Sequence, residues 1–198
     1  MIRLVLISFL LTGCANTSVS YSYFDYLRSY FYPQSIDLDS AAKEIDYSYI
    51  RASLGRNEAL LVLSESKEGI NTWVGANGEI IRTYNGLIIE TIGLDRNLKI
   101  FRTNVFNFLS KEKIINVKFS LDNPDLVFGN LVLELEKIDD YENGVKFFYS
   151  RRSPSIGWSD KDIYVFQNEK IKYSEQRFHP YSKKIKLEFF FKYQKKGA

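Results

Sequence analysis

One cysteine and one histidine are all that this chain offers of the two side chains most used as nucleophile and general base. The cysteine closes the run Leu11-Thr12-Gly13-Cys14. An apolar residue, two small residues and a cysteine make the pattern of a bacterial lipobox. The small residues let an extended backbone enter a peptidase groove, and the thiol is the nucleophile for diacylglycerol transfer. Cys14 is therefore the expected lipidation site, and once acylated it leaves no thiol for a disulfide. His179 sits beside Pro180 after a strand-like run and reads as a turn residue rather than a general base. With one histidine and a spent cysteine, no metal site of the His/Cys type and no cofactor is expected.

Carboxylates could still support hydrolysis of a glycosidic bond, which needs only an acid and a base or nucleophile. Asp122, Asp125, Asp139, Asp140, Asp160 and Asp162 are the candidates. Each falls in a stretch that reads as a turn, where aspartate is favoured for local hydrogen bonding. No glycine-rich phosphate loop follows a strand and opens a helix, so catalysis is not expected. Two tryptophans offer ring faces on which a sugar could stack. Trp73, between Thr72 and Val74, reads mainly as a core or sheet residue. Trp158, in Ser155-Ile156-Gly157-Trp158-Ser159, reads as a loop residue and is the better candidate for an exposed carbohydrate or partner contact.

The first residues determine where these side chains would work. Met1-Ile2-Arg3 is followed by an apolar run over 4–11, the layout of a secretory signal peptide. The run falls well short of the roughly 20 residues that span a bilayer. Residues 1–13 are read as the signal, 14–20 as a lipid-anchored tether of small polar residues, and 21–198 as one mostly β domain. Ala15 follows the cysteine, and without an aspartate there the anchor is expected in the outer membrane, with the protein facing the periplasm. Two or more acyl chains would hold it stably, at about 0.8 kcal/mol per buried methylene.

Of 198 residues, 15 are Phe and 14 Tyr, a bias toward pleated, half-buried surfaces. A formal charge of +3, one unit of it from Arg3, is too small to imply nucleic acid. Lys183, Lys184, Lys186, Lys192, Lys195 and Lys196 cluster late in the chain and read as a solvated strand face with a polar tail.

The elements then follow from spacing. Tyr23, Tyr26, Leu27, Tyr30 and Phe31 predict an amphipathic helix ending before Pro33, and Asp39 predicts the N-cap of a short helix over 40–45, so the helical segment lies within 21–45. Ala59-Leu60-Leu61-Val62-Leu63 reads as a buried strand. Strands over 70–75, 79–84 and 87–92 are joined at Asn77-Gly78 and Asn85-Gly86, each read as a type I′ hairpin turn. Residues 98–113 are ambiguous between helix and irregular structure. Leu131, Leu133 and Leu135 alternate with wetter residues, Asn143-Gly144 turns the chain into a strand over 145–152, and 163–166 pairs with 171–178 across Asn168-Glu169. The last strand alternates Ile185, Leu187, Phe189, Phe191 and Tyr193 with Lys184, Lys186, Glu188 and Lys192. The fold class is all-β: an antiparallel meander of ten or so strands closing into a barrel or strongly coiled sheet, after one or two short helices.

The runs Ile70-Asn71-Thr72-Trp73-Val74, Asn77-Gly78-Glu79-Ile80-Ile81, Tyr84-Asn85-Gly86-Leu87-Ile88 and Glu90-Thr91-Ile92-Gly93-Leu94 resemble the YjbF/GfcB family of capsule lipoproteins. Tyr164, Ser174, Gln176 and Pro180 are similar to that family's C-terminal pattern, and 59–94 is the distinctive part. The resemblance implies a barrel-like outer-membrane lipoprotein encoded among genes for capsule or exopolysaccharide export. It implies no known activity, and partners among the envelope proteins of that system, including an outer-membrane β-barrel. Three readings stand: a non-catalytic accessory protein, a carbohydrate-binding module that holds the exported polymer, and, more weakly, a polysaccharide-modifying enzyme.

Overall fold

The computed structural model describes residues 37–101 and 111–192. The leader, Cys14, the tether, the helix expected over 21–32, Tyr193, Lys195 and Lys196 lie outside these residues. The architecture below is that of the unit Leu38–Ala198.

Helix α1 spans Leu38–Glu44. Strand β1 spans Tyr49–Leu54, β2 Asn57–Lys67, β3 Ile70–Val74, β4 Ile80–Tyr84, β5 Leu87–Ile92 and β6 Leu98–Phe101. They are followed by β7 Ile114–Leu121, β8 Val127–Tyr141, β9 Gly144–Ser153, β10 Trp158–Gln167, β11 Lys170–Gln176 and β12 Ile185–Phe190. Every strand pairs antiparallel with its sequence neighbours, and β12 returns to β1, with Ile50 opposite Phe189 and Ala52 opposite Leu187. The result is a closed barrel of twelve strands, two more than expected, with no sheet edge left open.

Alternation explains the closure. In β7, Ile115, Val117, Phe119 and Leu121 are buried while Ile114, Asn116 and Lys118 face out. The inside is filled by large side chains, among them Trp73, Phe119, Phe147, Tyr149, Tyr164 and Phe189. The outside carries ion pairs between neighbouring strands, such as Lys99–Glu90 at 3.1 Å and Arg152–Glu134, and one across β9, Lys161–Glu136 at 2.8 Å. An apolar interior with a charged exterior is the reverse of a membrane-spanning barrel, whose outer band is apolar.

Several local expectations change. Asn85 and Gly86 have φ of 49° and 85°, as a type I′ turn requires, but at Asn77-Gly78 only the glycine is left-handed. There Gly78 N–H donates to Gly75 C=O and Gly75 N–H to Glu79 C=O, which makes a longer turn ending in a left-handed glycine. The β8–β9 turn is centred on Glu142-Asn143, and Gly144 is the first residue of β9. Its lack of a side chain serves packing instead: a Cβ there would lie 1.9 Å from Phe166 C=O. In β2 only Leu61 of the 59–63 run is buried: Ala59 shares its face but lines the open barrel mouth, while Leu60 and Val62 take the other face. Residues 98–101 form β6, and 102–110 lie outside the described residues.

Helix α1 begins at Leu38, so Asp39 lies in its first turn rather than at the cap, and it pairs with Arg51 on β1. The other end of α1 is held by Lys192, whose Nζ donates to Ala42 C=O at 3.1 Å and to Ile45 C=O at 2.6 Å. A cation on those last carbonyls complements the helix dipole.

Candidate functional site

Neither tryptophan is on the surface. Trp73, on β3, has no solvent exposure, packs edge-on against Phe189 and donates its Nε1–H to Thr83 Oγ1 at 2.9 Å. Trp158 is not a loop residue: it opens β10, is 4% exposed, and lies edge-on to Phe119 at 5.8 Å. The short 3-10 turn Pro154–Ile156 and left-handed Gly157 bring the chain round so that Trp158 enters the barrel. Both rings are core, and neither presents a face to an external sugar.

The aspartates are similarly redistributed. Asp139 and Asp140 lie in β8 and Asp160 and Asp162 in β10; only Asp122 and Asp125 occupy a turn. Asp160 pairs with Arg177 at 2.6 Å and Lys184 at 3.0 Å, its carboxylate largely shielded from solvent. Asp162 points inward and meets Arg151 of β9, with both side chains fully buried. Arg151 Nε and Nη2 reach the same oxygen, Oδ2, at 2.8 and 2.6 Å, and Tyr164 Oη donates to it at 3.1 Å.

This interior polar cluster was not visible from sequence, because Arg151 continues the inward series Phe147, Tyr149 against its charge. Gln176 extends it: Nε2 donates to Gly86 C=O at 2.7 Å and to Ser174 Oγ at 3.1 Å, while Oε1 accepts from Ile88 N–H at 3.0 Å. The β4–β5 turn is thereby drawn into the barrel, and Gly86 is itself buried. Arg151 stacks over the Trp158 ring with its Cζ 5.3 Å from the centroid. Burial pushes the Asp162 carboxyl upward, and the Arg151 charge and the hydrogen bonds pull against that push. Burial also holds the Tyr164 phenol well above its ordinary range. The cluster ties β5, β9, β10 and β11 together, which is a structural role.

His179 belongs to the long connection from β11 to β12. It is buried, with Nε2 3.1 Å from Asp122 C=O, and Nδ1 accepts from Tyr181 N–H at 3.2 Å. Burial, more than any other influence, lowers its pKa, and the nearby Arg96 charge acts in the same direction. Arg96 fastens the same connection by donating Nη1 to Tyr181 C=O at 2.6 Å. Asn97 and Asp122 join the two turns beneath it, with Asn97 Nδ2 3.0 Å from Asp122 Oδ2.

Between this fastened connection and the β1–β2 turn the barrel mouth stays open. A cavity of about 660 Å³ lies there, within the range of small-molecule sites. Ala52, Leu54, Leu61, Ile81, Phe178 and Ile185 line its depth, and Arg56, Glu58, Glu79, Asp95, Arg96 and Lys183 its charged rim. None of Trp73, Trp158 or Asp162 lines it.

Neither a protein-family model nor a curated protein matches the chain by sequence. Among solved structures, the crystal structure of the hypothetical lipoprotein YmcC from Escherichia coli is similar, with a TM-score of 0.61 at 13% identity. The likeness covers 83% of this chain and 93% of that one, so the two share a fold over most of their lengths.

Proposed function

We propose that this chain is an envelope lipoprotein, held in the outer membrane through acylated Cys14 and facing the periplasm. In this reading it serves capsule or exopolysaccharide export as a non-catalytic accessory protein. One observation carries it: a barrel fold shared with a hypothetical lipoprotein follows a leader that ends in Leu11-Thr12-Gly13-Cys14. The capsule assignment draws on the resemblance of 59–94 to the YjbF/GfcB family. The charged outer wall favours a protein tethered beside a membrane over one that spans it.

A non-catalytic role is supported by the engagement of two of the candidate acids and of the base. Asp162 is taken up by Arg151, Asp160 by Arg177 and Lys184, and His179 by its own turn. The accessory reading places function on outer strand faces that dock on envelope partners, an outer-membrane β-barrel among them. It is preferred over carbohydrate binding because Trp73 and Trp158, on which that alternative relied, are interior.

Surface polysaccharide on cells lacking the gene tests the proposal, with complementation by wild type or Cys14→Ala. Polymer lost and restored only by wild type is the expected result. Unchanged polymer in the deletion strain removes the export role.

A further inference from the structure

The barrel mouth combines two chemistries that belong to one kind of ligand, and we propose that it binds an amphiphile: one aliphatic chain carrying an anionic head. The depth is aliphatic, with Ala52, Leu54, Leu61, Ile81 and Ile185 around Phe178, while the other lining aromatic, Tyr181, is exposed at the opening. Sugars are commonly held on aromatic faces flanked by paired polar groups, whereas a methylene chain is satisfied by such a lining. Closed barrels hold small ligands in this position, at the end of a packed core.

The rim supplies the preference for a head group. Arg56, Arg96 and Lys183 form no ion pair among the described residues, although each stands at the opening. The carboxylates beside them are largely occupied. Glu79 accepts from Asn77 at 2.9 Å, which holds its carboxyl below the ordinary range despite burial, and Glu58 accepts from Ser53 at 3.2 Å. Glu58, Glu79 and Asp95 still match the three cations in number, so the preference for an anion rests on where the unpaired cations stand and not on a net charge.

Two of those cations border the same turn. Lys183 lies along the β1–β2 turn, its Nζ 3.1 Å from where a Cβ on Gly55 would stand, and Arg56 is the next residue. Like charges gathered at the edge of an apolar cavity favour an anion whose tail enters it. The head would rest between Arg56 and Lys183, with the chain directed past Leu54 toward Leu61 and Ile185.

The test uses the full chain carrying Cys14→Ser, purified without detergent, so that the anchor's own acyl chains do not compete. The probe is ω-dansylamino-undecanoic acid, compared with its methyl ester. Saturable fluorescence enhancement is expected for both. The surface double variant Arg56→Glu with Lys183→Glu should bind the acid about tenfold more weakly while leaving the ester unchanged. Leu54→Glu should abolish binding of both, with thermal unfolding measured alongside to establish that it folds. The double variant alters exposed side chains only, and it keeps the test decisive if Leu54→Glu does not fold. Absence of saturable uptake overturns the proposal. So does equal loss of acid and ester in the double variant, or displacement of the probe by inorganic phosphate with no dependence on chain length.

Discussion

Arg151 gives two of its N–H groups to a single oxygen of Asp162, at 2.8 and 2.6 Å, and neither side chain touches solvent. Arg151 Nη1 and Asp162 Oδ1 make no hydrogen bond of their own, so the pair is only partly compensated for leaving water. Removing one partner leaves a buried charge. Arg151→Met is expected to lower stability by about 3–5 kcal/mol. Arg151→Met combined with Asp162→Leu should recover most of that loss. Urea unfolding of the three variants decides it: a double variant no more stable than Arg151→Met would show that the ion pair itself is strongly stabilising.

The tryptophans give a second prediction, because core and contact roles respond differently to truncation. Trp73→Ala and Trp158→Ala should each lower the unfolding free energy by about 3–5 kcal/mol. Trp73→Phe should cost less in volume but leave the Thr83 hydroxyl without its donor. Denaturant midpoints within error of wild type would reverse the core assignment and return both rings to the surface.

Glycine positions separate backbone freedom from crowding. Gly78 has φ of 86° with open space around it, so Gly78→Ala should cost only about 1 kcal/mol. Gly144 has no unusual φ, yet a Cβ there would sit 1.9 Å from a backbone oxygen of β10. Gly144→Ala must therefore push two paired strands apart and should be the more destabilising of the two by thermal unfolding. The reverse order would contradict the close approach of β9 and β10.

His179 predicts a pH dependence whose sign follows from burial. Its folded value lies below the ordinary imidazole value of about 6.5, so the unfolded chain takes up the proton first. The contribution of the neutral ring is complete above about pH 6.5 and is lost as pH falls through that value toward the folded one. Wild type should thus lose stability between about pH 7.5 and about pH 5.5, and His179→Gln should lose less over the same interval. Equal slopes in urea titrations of the two proteins would remove His179 from the acid response.

The meander was legible because its signals are local. Asn85-Gly86 and Asn168-Glu169 turn where expected, and Ile185, Leu187 and Phe189 alternate cleanly into the barrel. Strand β7 carries an equally complete alternation and went unassigned, since the ambiguous run before it hid where the period starts. Strand β1 was missed for a different reason: its inward residues are Ile50 and Ala52, and Arg51 stands between them, too weak a pattern without knowledge of β12 opposite. The interior ion pair was illegible in principle. A charged residue in an alternating strand is read as facing water, and only the partner two strand positions away on β10 makes the inward orientation tolerable. Trp158 reads as a loop residue because Gly157, Pro154 and the serines flanking that proline signal a loop, while the ring itself lies just past the loop's end.

The seam between β1 and β12 has a bearing on how the protein comes to be folded. Tyr49 to Leu54 find their partners in Ile185 to Phe190, which are synthesised after every other strand of the barrel. Until that segment arrives, β1 and β11 each present an unpaired row of amides and carbonyls to any other extended chain. A polypeptide arrested part-way, or trimmed before residue 185, would therefore be a sticky open ribbon instead of a smaller barrel. Closure of the barrel and quenching of its self-association are thus one event, and both hang on the integrity of β12.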